Sequence, residues 1–148
     1  MTKEVLVAIK GLQFDAAQEE TNIETVSVAQ YYEKNNSHYI IYDEIDEDSE
    51  ENTKNIIKFK EDKMELTKKG LVNVHMIFEK DKKNLTNYAT PFGNILIGID
   101  AQKITMDKQE EHIKVNVDYA LEVNYEHLAD CKITMEIMPK GQANGLFN

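Results

Sequence analysis

Four histidines, one cysteine and a dense acidic run are the side chains here that could carry chemistry. The histidines are His38, His75, His112 and His127. None stands two or four residues from another, and no His-Glu-x-x-His occurs, so zinc-protease spacing is absent. His127 and Cys131 are four apart, but the periodicity around them predicts a turn between strands. A zinc site would also need two further ligands. Cys131 heads an apolar alternation, Cys131, Ile133, Met135, Ile137, which reads as packing. As a nucleophile it would need a nearby base in an electropositive setting. The run from Asp43 to Asn52 suggests calcium, yet a calcium loop needs Gly at its sixth position and Glu at its twelfth. Counted from Asp43 these positions are Asp48 and Lys54; counted from Asp46 they are Glu51 and Ile57. Both registers fail, and the run reads as a solvated acidic hairpin. There is no Gly-x-Ser-x-Gly elbow and no glycine-rich phosphate loop. No metal and no cofactor is expected.

One polar group depends on strand phase for its meaning. Tyr42 and Glu44 share parity with Ile40, and Tyr88, Thr90 and Phe92 share parity in a later segment. If those inner faces converge, Tyr42, Glu44 and Tyr88 line a lumen or its mouth, with Met64, Met76, Phe92 and Tyr119 as apolar walls. The alternative is a filled core with hydrogen-bonded tyrosines.

The elements that must position these residues are strands, because the dominant hydrophobic period is two. Val5, Val7 and Ile9 alternate first. Val26 and Val28 alternate in a second segment that ends in Tyr31-Tyr32, and His38 to Ile45 forms a third. Ile56 to Lys60 and Met64 to Lys68 are short strands around a turn at Glu61-Asp62-Lys63. Val72 to Phe78 follows the turn at Lys69-Gly70, and Asp81 to Asn84 makes another turn. Leu85 to Phe92 breaks near Pro91, which cannot donate to a central ladder. Ile95 to Ala101 resumes the pattern. From Ile113 to Tyr125, seven apolar positions alternate with polar ones. Thirteen extended residues would span roughly 43 Å, so such a strand must coil as barrel strands do. Ile133 to Ile137 is the last strand, ended by Pro139. Residues 15 to 22 read as one helical turn or a loop. No amphipathic helix of ten residues and no internal repeat is visible.

Short connections make sequential strands antiparallel neighbours. The expected fold is all-β: one antiparallel up-and-down calycin- or lipocalin-like barrel of about 8 to 10 strands. The domain spans residues 1–140, with a flexible tail over 141–148. A two-sheet sandwich is the runner-up.

The chain has 148 residues, which suits one domain. Its net charge is −10, from 17 basic and 27 acidic residues. That balance argues against nucleic acid and against an anionic membrane surface. Every basic residue is Lys, so guanidinium clamps are excluded. A single cysteine permits no internal disulfide and suits a reducing cytosol. The start, polar after a short apolar run, reads as neither a signal peptide nor a transmembrane span.

Tyr31-Tyr32, His38 to Glu44 (HYIIYDE), residues 88 to 104 (YATPFGNILIGIDAQKI), and the long strand carrying Tyr119 resemble the YwiB-like family. Tyr88 to Gly93 is the most specific stretch, and the similarity extends from about residue 3 to 139. The resemblance implies a calycin-like barrel, a bacterial and mainly Firmicutes origin, a cytosolic location and no assigned activity. It carries over no catalytic residue. The Gly-x-Trp start of lipocalins is absent, as is any Trp.

Three functional readings remain, in this order. The first is a non-enzymatic barrel holding a small apolar or amphipathic ligand. The second is a protein–protein interaction module, homodimeric across exposed strands, with a filled barrel and no ligand. The third, an enzyme with Glu44 as base and a tyrosine as acid, stands far behind.

Overall fold

The computed structural model describes residues 3–11, 24–45, 52–70, 73–90 and 93–142. The acidic run over 46–51, the helical-turn expectation over 15–22, Pro91, Phe92 and the tail after 142 lie outside them.

Ten strands follow one another: β1 Glu4–Lys10, β2 Glu24–Lys34, β3 Ser37–Ile45, β4 Asn52–Lys60, β5 Lys63–Lys69, β6 Val74–Glu79, β7 Lys82–Thr90, β8 Gly93–Gln109, β9 His112–Val123 and β10 Glu126–Pro139. A single 3₁₀ turn, Lys140–Gln142, follows β10. All described pairings are antiparallel, in the order β6-β5-β4-β3-β2-β1-β10-β9-β8-β7. The fold is therefore an all-β, nearly closed ten-stranded barrel. β1 closes onto β10 from Val5↔Pro139 to Lys10↔Thr134.

Among the described residues the seam falls between β6 and β7, which are consecutive yet share no ladder. Their turn is held from both sides instead. The Lys80 N–H donates to the Asp62 carbonyl at 3.2 Å, and the Asp81 N–H donates to the Ala101 carbonyl at 2.9 Å. Side chains close what the backbone leaves open: the Phe78 ring on β6 meets Tyr119 on β9 edge-to-face, centroids 5.0 Å apart.

Tight turns do the reversing. Asn35 and Asn36 both have positive φ, 53° and 65°, as a two-residue type I′ turn requires. Asn124 and Tyr125 repeat the geometry at φ 50° and 70°. Tyr125 was expected to be the last inward residue of β9; it lies in the turn and is 74% exposed. This turn also corrects the order around Cys131, since His127 and Cys131 both lie on β10. The turn expected at Asp81 to Asn84 is shorter, because β7 already begins at Lys82. β8 runs on to Gln109 through a bulge between Ala101 and Lys103. The bulge moves the inward phase from Ile97, Ile99 and Ala101 to Ile104.

One parity of each strand faces inward. Ile113, Val115, Val117 and Tyr119 of β9 are buried, and Leu121 and Val123 are half-buried toward the strand end. On β2 the inward residues are Ala29 and Tyr31, whereas Val26 and Val28 face out. The interior is filled: Phe59, Phe78, Ile57, Leu66, Met76 and Met135 are among the side chains less than 2% exposed. A surface that no water-sized sphere reaches cannot line an open lumen. Burying each such side chain stabilises the fold by about 1.5–3 kcal/mol.

Candidate functional site

The barrel has two ends. The end reached by Lys10, Ile45, Lys69 and Val123 is called upper here. The end carrying the β2–β3, β4–β5 and β8–β9 turns is called lower.

Strand phase does bring several of the expected site residues to the inner face. Tyr42 is buried, and burial, with Glu44 nearby, pushes its hydroxyl far above the usual tyrosine range. Met64, Met76 and Tyr119 belong to the filled core. Burial also drives the Tyr119 hydroxyl up, with a further contribution from Cys131, its cross-strand neighbour. Tyr88 is partly buried against the core. Phe92 lies outside the described residues. Glu44 is on the rim, its side chain 48% exposed and paired with Lys68 Nζ at 2.8 Å. Among the described residues its partner is a lysine and not a tyrosine, which removes the geometry a Glu44–tyrosine acid–base pair needs.

Asn55 is a polar residue that sequence reasoning did not single out. It pairs with Tyr42 in the β3–β4 register and is fully buried. Its Nδ2 donates a long bond, 3.4 Å, to the Thr53 carbonyl, and among the described residues its Oδ1 has no partner. A buried acceptor without a donor costs about 1–3 kcal/mol. Asn55→Leu, nearly the same shape, is therefore expected to leave stability unchanged or raise it by about 1 kcal/mol. The urea midpoint would measure this, and a clear loss would show that the amide is bonded in solution.

The lower end holds a connected polar group. His38, on the inward phase of β3, is 2% exposed. Its ring stacks on Phe59, its β4 partner, with centroids 5.0 Å apart. Nδ1 lies 2.7 Å from the Tyr31 hydroxyl, and Nε2 faces a Glu33 carboxylate oxygen at 3.9 Å. Lys108 on β8 reaches both Glu33 oxygens at 3.4 Å. The Asn35-Asn36 turn makes this possible by folding β3 back on β2, so that Glu33 pairs with His38 and Tyr31 with Ile40. Beside the group is a cleft of about 300 Å³, whose lining includes Lys3, Tyr31, Tyr32, Glu33, Lys108 and Glu110.

The electrostatics fix the direction of these bonds. Burial lowers the His38 pKa, Glu33 opposes the shift and Lys108 adds to it, so the ring is neutral near pH 7. Its one proton belongs on Nε2, facing the carboxylate. Nδ1 then accepts from the Tyr31 hydroxyl. The Tyr31 pKa is raised, by burial first and Glu33 second, which keeps that proton in place. The phenol oxygen is left presenting lone pairs, and the cleft offers acceptors.

The pH sign follows. Unfolded chain binds the proton near the ordinary histidine value of 6.5, and folded His38 only below it. His38 is neutral in both states above that value, and its contribution to stability is complete there. It is lost as pH falls from 6.5 through the lower folded value. The expected result is an NMR titration of the His38 ring with its midpoint below 6.5. A midpoint above 6.5 would reverse the assignment of burial as the larger cause.

The signal for this group was present in the sequence, since His38 shares parity with Ile40 and Tyr42. Metal spacing was the wrong question to put to it. Among the described residues no cluster of three or more His, Cys, Asp or Glu could hold a metal ion. No helix among them is long and apolar enough to cross a membrane.

A nearly closed antiparallel barrel with a filled centre defines the structural class. Residues 7–135 match the domain family described as a domain of unknown function, DUF1934, and the chain belongs to that family. It is a YwiB-like family: the crystal structure of the ywiB protein from Bacillus subtilis superposes with a TM-score of 0.73 at 21% identity, covering 93% of this chain and 92% of that one. That likeness shows the fold. No curated protein matches the sequence.

Proposed function

We propose that this barrel is a non-enzymatic binding protein whose ligand enters the lower mouth. The observation that carries the reading is the buried Tyr31–His38 pair beside a cleft of about 300 Å³. A volume of that order is the lower bound for small-molecule sites. Because Met64 and Met76 are packed without free space, an apolar tail in the centre would require repacking. The ligand therefore takes its place at the mouth.

Its chemistry follows from the bond directions. Tyr31 and Glu33 present acceptors, so the ligand supplies donors: a small molecule bearing hydroxyl or ammonium groups. Tyr32 gives it an apolar wall. Lys108 neutralises Glu33 when the cleft is empty and is displaced, or shared, when an ammonium enters. The ten-stranded meander with one unpaired seam supports a calycin-like grouping, and the single cysteine supports a reducing cytosol as its setting.

The test combines native mass spectrometry of protein from its own host with NMR titration by small polyols and amines. The expected result is a retained small mass and shifts confined to Tyr31, His38 and Glu33. Tyr31→Phe should weaken binding roughly tenfold, the worth of one hydrogen bond. Shifts at Tyr42 and Tyr88 instead would move the site to the other end. No shift with any amine or alcohol would end the reading.

A further inference from the structure

One carboxylate at the lower mouth is shared between two partners. Glu33 Oε2 lies 3.4 Å from Lys108 Nζ and 3.9 Å from His38 Nε2. Glu33 stands on the inward phase of β2, two residues beyond Tyr31. Lys108 stands on the inward phase of β8, paired in register with buried Ile113. Three strands, β1, β10 and β9, separate β2 from β8 along the sheet. The Lys108–Glu33 pair therefore reaches across the mouth rather than along the wall. Both of its side chains are nearly half exposed, whereas the His38 side chain is 3% exposed. The exposed pair parts at little cost, because solvent takes over both charges. A charge on the buried ring has no such substitute and must be paired.

We infer that Glu33 is the moving part of a proton-operated latch at this mouth. When His38 takes up a proton at Nδ1, the imidazolium draws Glu33 away from Lys108 and opens the bridge. The same proton reverses the Tyr31 bond, whose two heavy atoms are already 2.7 Å apart. Nδ1–H now donates to the phenol oxygen, and the Tyr31 hydrogen, released from its acceptor, turns toward the cleft. The neutral mouth presents acceptors. The charged mouth presents a phenol donor and a freed Lys108 ammonium, with Glu33 held by the ring. One consequence rests on the binding reading proposed above: the neutral form takes a hydroxyl- or ammonium-bearing ligand, and the charged form releases it. The latch itself needs no ligand.

The groups around the ring set the direction. Tyr31 and Glu33 face His38 from β2, Lys108 acts from β8, and β4 offers the apolar Phe59 ring. Lys3 and Glu110 line the adjoining cleft. Lys58, Lys60, Lys63 and Glu65 belong to a separate recess, in which Glu65 holds Lys63 at 3.0 Å. Burial opposes a charge on His38 most, Glu33 favours it, and Lys108 opposes it. The folded ring therefore titrates below 6.5, so the bridge is closed near pH 7 and opens as pH falls through that lower value. Proton uptake and Lys108 departure reinforce each other, since the departing ammonium is one of the charges opposing the proton.

An NMR titration of the full chain without ligand tests the latch, with the His38 ring nitrogens, the Glu33 carboxyl and the Lys108 ammonium followed together as pH is lowered from neutrality. The expected result is a ring proton on Nε2 alone before the midpoint and on both nitrogens after it. The Glu33 and Lys108 signals should move with that same midpoint. Lys108→Met should raise the midpoint, and Glu33→Gln should lower it and leave the Lys108 signal still; both side chains are solvent-facing, and circular dichroism checks that each variant folds. A neutral ring protonated on Nδ1 overturns the inference. So do Glu33 and Lys108 signals that ignore the His38 midpoint, or a midpoint that Lys108→Met lowers. Titration with ethanolamine on either side of the midpoint tests the consequence, with binding expected to weaken about tenfold on the acid side. Equal binding on both sides overturns the release. A latch that moves in a protein binding no amine at any pH stands, and the binding reading fails alone.

Discussion

Phe78→Ala is expected to destabilise the barrel by about 3–5 kcal/mol, the cost of emptying a core aromatic site. Phe78 is fully buried, and its edge-to-face contact with Tyr119 spans the seam that no ladder closes. The aromatic pair adds about 0.5–1.5 kcal/mol beyond the area it buries. Removing the ring leaves a cavity between strands joined only by side chains there. For a domain of this size the loss is a fall in melting temperature of roughly 10 °C. Thermal unfolding followed by circular dichroism measures it. Phe78→Leu should recover more than half of the loss. A Phe78→Ala protein that melted within about 2 °C of the parent would mean the seam is closed by something other than this ring.

Gly11→Ala has the second large effect. Gly11 has φ of +90°, a region that disfavours side chains, and an added Cβ would lie 2.0 Å from the Lys132 carbonyl oxygen. The conformation alone costs about 1–2 kcal/mol. The clash is with backbone, which cannot rotate away, so β10 must move from the end of β1. The total expected loss is about 3 kcal/mol or more, reduced only slightly by the stiffer unfolded chain. Gly93 separates the two causes: its φ is +122°, but among the described residues nothing lies within 4 Å of the missing Cβ. Gly93→Ala should cost only about 1–2 kcal/mol. Equal urea midpoints for the two variants would show that the Lys132 approach is not tight in solution.

The lower mouth and the outer face were legible to different degrees. His38 stands in phase with Ile40 and Tyr42, so its inward direction could be read from the sequence. Its partners could not, because the contact with Phe59 and the approach of Lys108 depend on registers between distant segments. Val26 and Val28 show the opposite case. Their alternation marks a strand correctly, yet periodicity does not say which of two apolar-bearing phases faces the core. Ala29 and Tyr31 take the inside because β2 pairs with β1 in the register Val5↔Ala29 and Val7↔Ser27. Tyr125 was misplaced for a local reason: Asn-Tyr can form a type I′ turn, but a bulky residue at positive φ is uncommon enough that the alternation suggested one more strand position.

The amino-acid order by itself determined that the chain is built of antiparallel strands with short turns. Side-chain alternation is a property of the extended backbone and needs no distant partner. It also determined that Ile113 to Val123 would present one apolar face, and that no metal spacing or nucleophile motif existed. Only the tertiary structure decided that the centre is filled and that the seam falls between β6 and β7. It also decided that a tyrosine, a histidine, a glutamate and a lysine from three strands meet at one mouth. Those outcomes turn on which strands pair and how far each slides. Hydrogen-bond registers and packing volumes across the whole barrel settle that together, and no local stretch encodes it.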